Sequence, residues 1–329
     1  MGKPVLVSGA QPTGKLHIGN YLGALKNWVE LQESGTYACY WPVVDLHSLT
    51  ENFDPKEKTK QILELTADFI AAGLDPKKSV VFLQSLVPAH SELAWVFNSI
   101  TPLGELYRMT QFKDKSERQQ ENINAGLLTY PALMAADILL YDAKFVPVGE
   151  DQLQHLELTR TVARKFNAKF GKTFIEPKAI LTKTARVMSL KNPEKKMSKS
   201  QPETCLFLDD SPQDIEAKLK SAVTDSGSEV KYDLHKKPGV SNLLGIYSAL
   251  SGDSIEVLEH RFAGKNYGDL KRSLIAVVTD HFADFRKKKA SLMKNPSSLV
   301  KTLEDGSKKA ALVANKKMTQ VKKQLGLVL

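Results

Sequence analysis

Short apolar runs alternate with helical patterns over roughly the first 200 residues, and this alternation constrains the fold more than any other feature of the sequence. The strand-like runs lie at 4–7, 37–44, 79–83 and 144–148, and helical patterns follow at 18–33, 55–72, 89–100 and 151–170. Because strands that alternate with helices are joined by crossover connections, neighbouring strands run in the same direction. We therefore predict an α/β fold built on a parallel sheet.

The pattern changes after residue 205. Ser211 and Pro212 form a helix start, and helical periodicity with almost no strand signal continues at 240–250, 254–262, 270–292 and 296–327. We predict a Rossmann-like nucleotide-binding catalytic domain over 1–205 and an all-helical domain over 206–329, whose last helix can pack back on the first domain. Charged segments near 113–124 and 191–203 are expected to be exposed, mobile connections.

The basic residues are distributed unevenly. Residues 1–210 contain 25 Lys and Arg against 24 Asp and Glu, whereas residues 211–329 contain 21 against 13. A basic segment beside a nearly neutral one indicates a polyanionic partner held by the basic part, and a solvated lysine-rich surface is the alternative. Because the sequence shows neither a signal peptide nor an apolar run long enough for a bilayer, we expect a cytoplasmic protein without membrane contact.

The turn after the first predicted strand, at residues 8–20, is rich in glycine. Ligands of open α/β sheets bind where strands end and helices begin, because free N–H groups and the helix dipole favour phosphate there. An ordinary glycine-rich turn is the alternative. Gly9 to Lys15 also matches the start of a P-loop, but Leu16 cannot bind Mg²⁺ and Pro12 lacks an N–H, so we do not predict a P-loop.

A second candidate segment for phosphate binding lies at 196–200, where Lys196 and Lys199 stand beside small hydroxyl residues. Flexible ammonium groups suit the charge that develops on a leaving pyrophosphate. We predict that this segment and the early glycine turn meet around one triphosphate.

Residues 17–20 and 196–200 together resemble the paired signature of class I aminoacyl-tRNA synthetases. Further stretches resemble the bacterial tryptophanyl-tRNA synthetases, in order and over nearly the whole chain: 9–14, 109–113, 134–141, 146–152, 186–190 and 222–226. One position departs from the class pattern, because Asn20 stands where histidine is usual, and the tryptophan branch commonly has this asparagine.

The resemblance implies activation of tryptophan with ATP and transfer of tryptophan to the 3′ end of tRNA(Trp). It also implies a homodimer, an anticodon-binding role for 206–329, and Mg²⁺ held through the phosphates and water rather than by protein ligands. The residues that it implies for ATP binding are Gln11, Pro12, Thr13, Gly19, Asn20, Gly149, Glu150, Asp151, Val187, Lys196, Met197, Ser198, Lys199 and Ser200.

The implied catalytic residues are Lys196 and Lys199, with His17, Lys113 and Lys115 as further candidates. A structural role is the alternative for His17, and simple solvation is the alternative for Lys113 and Lys115.

Asp137 is the candidate for substrate specificity. It lies in an apolar helical stretch, where an unpaired carboxylate is costly, and it could accept the indole N–H of tryptophan, which only donates. Capping of Asp137 by local backbone or a nearby cation is the alternative. The other predicted tryptophan-binding residues are Ser8, His47, Tyr130, Met134, Val146, Val148 and Gln152.

Three other functions compete with this interpretation. A tyrosyl-tRNA synthetase shares the motifs, but the stretches around Asp137 and 149–152 favour tryptophan. A P-loop ATPase or nucleotidyltransferase that does not act on tRNA is disfavoured by the basic last third and by residues 196–200. A non-enzymatic RNA-binding paralogue is disfavoured by the complete set of motif residues.

Overall fold

The structure is a computed structural model that describes residues 2–112, 123–181, 187–199 and 201–327. Its parallel sheet has the order β3-β2-β1-β4-β5. The strands are β1 (Val5–Val7), β2 (Ala38–Val43), β3 (Val80–Leu83), β4 (Phe145–Val148) and β5 (Lys178–Leu181). The predicted α/β fold with a parallel sheet is therefore confirmed.

Helices connect the strands and make up the regular structure after β5. Up to β5 they are α1 (Ile18–Asn20), α2 (Lys26–Glu33), α3 (Pro55–Ala72), α4 (Ala89–Asn98), α5 (Leu103–Tyr107), α6 (Ala125–Leu139) and α7 (Leu153–Phe170). After β5 they are α8 (Pro212–Lys220), α9 (Pro238–Ser251), α10 (Ile255–Arg261), α11 (Tyr267–His281), α12 (Ala283–Lys294) and α13 (Pro296–Leu325). The prediction of a helical C-terminal region is confirmed.

Two details differ from the sequence prediction. The single helix predicted over 270–292 was wrong, because α11 ends at His281 and Phe282 leaves the helical geometry with φ −96° and ψ 8°. The apolar periodicity continues across this break, so the pattern alone did not reveal it. The edge strand β5 was not predicted, since its four residues are at best half-buried and lack a clear apolar alternation.

The chain divides into two compact units, whose limits differ from the predicted domains. The first unit contains residues 1–13, 28–182 and 295–329, and the second contains 14–27 and 183–294. Residues 14–27 belong to the second unit because Ile18 N donates to Leu206 O and Leu208 N donates to Leu16 O. Whether the catalytic and anticodon-binding functions divide at residue 205 stays a prediction.

The core of the first unit lies between the sheet and helices α4, α6, α7 and α13. Helix α13 packs on edge strand β3 at very short range, since a Cβ atom added to Gly306 would lie 1.8 Å from Val81 O. Beside it, the Ser307 hydroxyl accepts a hydrogen bond from Leu83 N at 3.2 Å. The edge of β3 is thus covered by a helix.

In the second unit, α11 packs against α8 and α9. Ser211 caps α8 through a reciprocal hydrogen-bond pair with Asp214, as its sequence predicts. Among the helices that the structure describes, none combines the length and the apolar character needed to cross a membrane.

Candidate functional site

The first unit contains a buried carboxylate held by three polar side chains. Asp137, on α6, is 5% exposed. Its Oδ1 accepts from Gln84 Nε2 at 2.7 Å and pairs with His90 Nδ1 at 2.6 Å, and its Oδ2 pairs with His47 Nε2 at 2.7 Å. A carboxylate offers about four acceptor positions. These three partners therefore leave room for one more donor.

Two opposing effects determine the pKa of Asp137. Burial raises it, but the charge of His47 and the hydrogen bonds from His47 and His90 outweigh burial and lower the pKa to about 2. The side chain is therefore an ionised acceptor at neutral pH.

His90 links Asp137 to Tyr141. Its Nδ1 lies beside the carboxylate, which can only accept, so Nδ1 carries a proton. Its Nε2 lies 2.8 Å from the Tyr141 hydroxyl, and the Tyr141 ring stacks on Tyr40 with 4.9 Å between centroids. Both His90 and Gln84 are fully buried, so Oδ1 of the Asp137 carboxylate is bound by two side chains that are packed in the interior.

A second pair of aromatic side chains lies on the His47 side. The His47 ring meets the Tyr130 ring edge-on, with 6.1 Å between centroids. The Tyr130 hydroxyl lies 2.7 Å from His155 Nε2, and burial raises the pKa of Tyr130. Tyr130 is therefore a neutral phenol next to the carboxylate cluster.

In the second unit, His17 begins helix α1. Its Nδ1 accepts a hydrogen bond from Gly19 N at 3.1 Å, while Asn20 Oδ1 accepts from His17 N at 3.1 Å. This reciprocal cap requires an unprotonated Nδ1, so the proton of the neutral ring is on Nε2. A five-residue π-helical turn, Tyr21–Leu25, follows α1 and leads into α2.

Two lysines act on the same histidine. Burial, followed by the positive charges of Lys199 and Lys196, lowers the pKa of His17 to about 4. Lys199 Nζ also donates to Gly14 O at 3.2 Å. The residues of the two distant motifs, 17–20 and 196–199, therefore lie together in this unit, as predicted.

Backbone pairing holds the lysine segment in place. Met197 N donates to Val187 O at 3.1 Å, and Ser189 N donates to Lys195 O at 2.8 Å. Gly19 lies against this pair of segments, since a Cβ atom there would approach His17 Cε1 at 2.9 Å and Val187 Cβ at 3.6 Å. Only glycine fits this position without displacing the histidine ring.

The other predicted nucleotide residues lie in the first unit, where the chain leaves β1 and β4. After β1, Gly9 passes so close to β2 that an added Cβ would lie 2.5 Å from Pro42 O. Gln11, Pro12 and Thr13 follow, and Thr13 N donates to Gln11 O at 2.9 Å. After β4, Gly149 precedes the 3₁₀ turn Glu150–Gln152, which continues into α7.

Comparison with known proteins identifies the family. The family model described as tRNA synthetases class I (W and Y) matches residues 2–283. The chain belongs to this family.

Several relatives of the class I synthetase family resemble this chain over its full length. The chain is 50% identical over 325 residues to a Tryptophan–tRNA ligase of Caldanaerobacter subterraneus, covering 98% of each chain. It is 47% identical over 330 residues to a Tryptophan–tRNA ligase of Clostridium tetani, covering 99% of this chain and 97% of that one.

Solved structures agree with this membership. The tryptophanyl-tRNA synthetase of Mycoplasma pneumoniae superposes with a TM-score of 0.89 at 36% identity and 99% coverage of both chains. That of Campylobacter jejuni, crystallised with ADP and tryptophan, superposes with a TM-score of 0.84 at 34% identity, covering 98% of this chain and 99% of that one.

The remaining predicted residues of this chain are placed as follows. Val146 and Val148 are buried on β4, and Met134 packs partly buried against the same core. Ser8 Oγ donates to Pro147 O at 3.2 Å, and Gln152 Nε2 donates to Asp151 Oδ2 at 3.3 Å. Lys113, Lys115 and Ser200 lie outside the described residues.

Sequence reasoning missed His90, Gln84 and Tyr141, although all three belong to the Asp137 cluster. His90 and Gln84 lie outside every stretch that resembles the family, and Tyr141 ends the stretch 134–141 without being predicted as a site residue. His90 lies in the first turn of α4 and is fully buried, and a histidine on an apolar helix face was the available signal.

Within the described residues, no group of three or more His, Cys, Asp or Glu side chains is arranged to hold a metal ion. His47, Asp137 and His90 are close together, but the carboxylate uses both oxygens to bind the two rings.

Proposed function

We propose that this chain activates L-tryptophan with ATP and then transfers the tryptophan to the 3′ end of tRNA(Trp). The observation that carries this proposal is the ionised, buried Asp137, framed by His47, His90 and Gln84, in a chain of the class I synthetase family. The identity of about half the residues with curated Tryptophan–tRNA ligases supports it, and so does the ADP and tryptophan complex of the C. jejuni relative.

Asp137 accepts the indole N–H at its remaining acceptor position. Phenylalanine has no donor to offer a buried carboxylate, and tyrosine carries its hydroxyl at a different place on the ring, so both leave Asp137 poorly satisfied. His47 and Tyr130 form the polar side of the indole site, together with Ser8 and Gln152. Met134, Val146 and Val148 provide the apolar walls.

The positive charge of the second unit binds the triphosphate. Lys196 and Lys199 stabilise the charge that builds up on the leaving pyrophosphate, and His17 donates to phosphate through its Nε2–H. Asn20 donates its amide, Gly19 and Val187 offer backbone groups to the adenine, and Met197 and Ser198 contribute to the same loop. Lys113, Lys115 and Ser200 are proposed to assist on the strength of the family resemblance.

In the first unit, Gln11, Pro12 and Thr13 contact the nucleotide after β1. Gly149, Glu150 and Asp151 contact its ribose at the turn after β4. A helix or turn that begins at a strand's carboxyl end presents free N–H groups to such a ligand.

The reaction proceeds in two balanced steps. A carboxylate oxygen of tryptophan attacks the α-phosphorus of ATP, the bond to the β-phosphate oxygen breaks, and pyrophosphate leaves with the electron pair. A ribose hydroxyl of the tRNA then attacks the carbonyl carbon of the adenylate, AMP leaves, and the hydroxyl proton passes to solvent or phosphate. The protein contributes position and charge rather than a covalent nucleophile.

Mg²⁺ accompanies the triphosphate in this proposal. Phosphate oxygens and water hold this ion, in keeping with the reluctance of Mg²⁺ to lose its hydration shell. When bound, it neutralises part of the phosphate charge.

The partners follow from the same reaction. The helical region of residues 206–329 receives the anticodon end of the tRNA, and the reaction takes place in the cytoplasm, where tRNA and ATP are present. We also propose a homodimer. Trp95 on α4 and Leu103 and Tyr107 on α5 are 73%, 61% and 53% exposed, and exposed apolar side chains on neighbouring helices are typical of an interface.

Two assays test this function. Exchange of labelled pyrophosphate into ATP should require tryptophan and should not proceed with tyrosine or phenylalanine. Charging of bulk tRNA with labelled tryptophan should follow. Exchange supported by tyrosine and not by tryptophan would overturn the proposed substrate.

A further inference from the structure

The structure shows where the excess positive charge of the last third is located. Residues 211–294 contain 14 Lys and Arg against 11 Asp and Glu, whereas residues 295–329 contain 7 against 2. Most of the surplus therefore belongs to α13, and α13 is part of the first unit, with the sheet. The charge that indicates a polyanionic partner is not confined to the helices after β5 in the second unit.

One face of α13 is used for packing. The buried positions recur at helical spacing: Leu299, Leu303, Gly306, Ser307, Ala310, Ala314, Lys317, Met318 and Val321. Two lysines on or beside this face have acidic partners, since Lys317 Nζ lies 2.7 Å from Asp142 Oδ1 and Lys322 Nζ lies 2.6 Å from Glu92 Oε1. These two lysines attach the helix to the rest of the unit.

The opposite face of α13 carries the other lysines, all of them exposed. We call Lys301, Lys308, Lys309, Lys316 and Lys323 the α13 lysine face. Lys308 has an exposed, long ion pair with Asp305 at 3.7 Å, which contributes little. The other four have no acidic partner among the residues that the structure describes, so their charge is available to a ligand.

A cavity of about 300 Å³ adjoins the amino-terminal half of this face. It is lined by three lysines, Lys77, Lys301 and Lys309, and by one carboxylate, Asp305. Ser298 and Thr302 also line it, and their hydroxyls donate to the backbone carbonyls of Asn295 and Ser298. Three ammonium groups against one carboxylate make this cavity a place for an anion such as a phosphate.

We propose that the α13 lysine face and its adjoining cavity bind the phosphate backbone of the tRNA. The inference rests on the proposed function. A helix rises about 1.5 Å per residue, so Lys301 and Lys323 are roughly 33 Å apart, a span that fits a series of phosphates better than one small anion. Lysines act as point charges without base specificity, so this surface contributes affinity and register rather than sequence recognition.

The experiment compares two variants that remove the same charge. In the first, Lys301, Lys309, Lys316 and Lys323 are each replaced by Gln. In the control, four exposed lysines outside α13, namely Lys56, Lys60, Lys144 and Lys178, are each replaced by Gln. Binding of tRNA(Trp) is measured directly by filter retention over a series of salt concentrations, and tryptophan-dependent pyrophosphate exchange is measured in parallel.

We expect the α13 variant to bind tRNA about tenfold or more weakly at low salt. The slope of log affinity against log salt should be flatter by about 3.6, because each of the four lost phosphate contacts contributes about 0.9. Pyrophosphate exchange should match that of the unaltered chain, which also shows that the variant folds. The control variant should keep both the affinity and the slope.

Unchanged tRNA affinity of the α13 variant would overturn the inference, and the face would then be a candidate for a protein partner. An equal loss in the control variant would also overturn it, since it would show a general effect of net charge. Failure of the proposed function gives a different result from failure of this inference. It would appear as missing tryptophan-dependent pyrophosphate exchange in the unaltered chain, whereas tRNA binding is measured without catalysis.

Discussion

At the scale of single residues, the buried carboxylate of Asp137 depends on its neighbours for its charge. Burial alone would favour the protonated acid, which could donate a hydrogen bond and would discriminate poorly between substrates. His47 and His90 reverse this preference by pairing with one oxygen each. The specificity proposed for Asp137 is therefore a property of three residues.

Replacing Asp137→Asn tests this specificity. The amide cannot accept from both imidazoles, and it loses the charge-assisted bond to the indole, so the KM for tryptophan in pyrophosphate exchange should rise about tenfold to a hundredfold. The KM for ATP should stay within about twofold, because Asp137 does not act on the nucleotide in this mechanism. An unaltered KM for tryptophan would refute the role.

The lowered pKa of His17 predicts that the stability of the fold depends on pH. The folded chain keeps this side chain neutral down to pH about 4, whereas the unfolded chain protonates it below 6.5. The contribution of His17 to the free energy of unfolding is therefore fully present above pH 6.5. It is lost as the pH falls from 6.5 to 4. The loss should amount to about 3 kcal/mol at most.

His17→Asn is the matched variant for this effect. Asparagine is a good helix N-cap and does not titrate, so the variant should lose less unfolding free energy than the unaltered chain over this pH range. Urea unfolding at several pH values measures the difference. If the unfolding free energies of the two proteins fell in parallel with pH, His17 would not be the source of the loss.

At the scale of secondary structure elements, the contact between α13 and β3 depends on one glycine. Gly306→Ala places a methyl group within 1.8 Å of Val81 O, so the helix or the strand must move. We expect a loss of roughly 2–4 kcal/mol in the free energy of unfolding. Gly245→Ala on α9 is the control, since an added Cβ there has no neighbour within 4 Å.

Thermal unfolding distinguishes the two variants. The Gly245→Ala protein should be as stable as the unaltered chain or more stable by up to about 1 kcal/mol, because alanine favours helix. If Gly306→Ala unfolded at the same temperature as the control, the close packing of α13 on β3 would be wrong.

Much of the arrangement of helices and strands could be predicted from the sequence. Particular residues show which features could not be predicted. The helical pattern at 55–72 corresponds to α3, and the parallel sheet followed from the alternation of strands and helices. The break at Phe282 remained hidden because apolar periodicity ran through it. At the site, the two motifs were visible as local patterns, whereas His90 and Gln84 reach Asp137 only through folding, because they lie 47 and 53 positions before it in the chain.

At the scale of the whole molecule, the exposed aromatic side chain of Trp95 predicts self-association. Trp95→Glu should convert a dimer to a monomer in light scattering, because a charge would be buried at the interface without a partner. Leu312→Glu is the control, since Leu312 on α13 is 76% exposed and is not part of the proposed interface. A Trp95→Glu protein that stayed dimeric would show that the dimer interface does not include Trp95.

The cover on strand β3 has a consequence for how the chain is made. Leu83 and Ser307 are 224 positions apart, so a ribosome synthesises the strand long before its helical cover. During that interval the nascent sheet has an edge with unpaired N–H and C=O groups, which is a template for pairing with other chains. Translation pauses between these two segments should therefore increase misassembly and the need for chaperones.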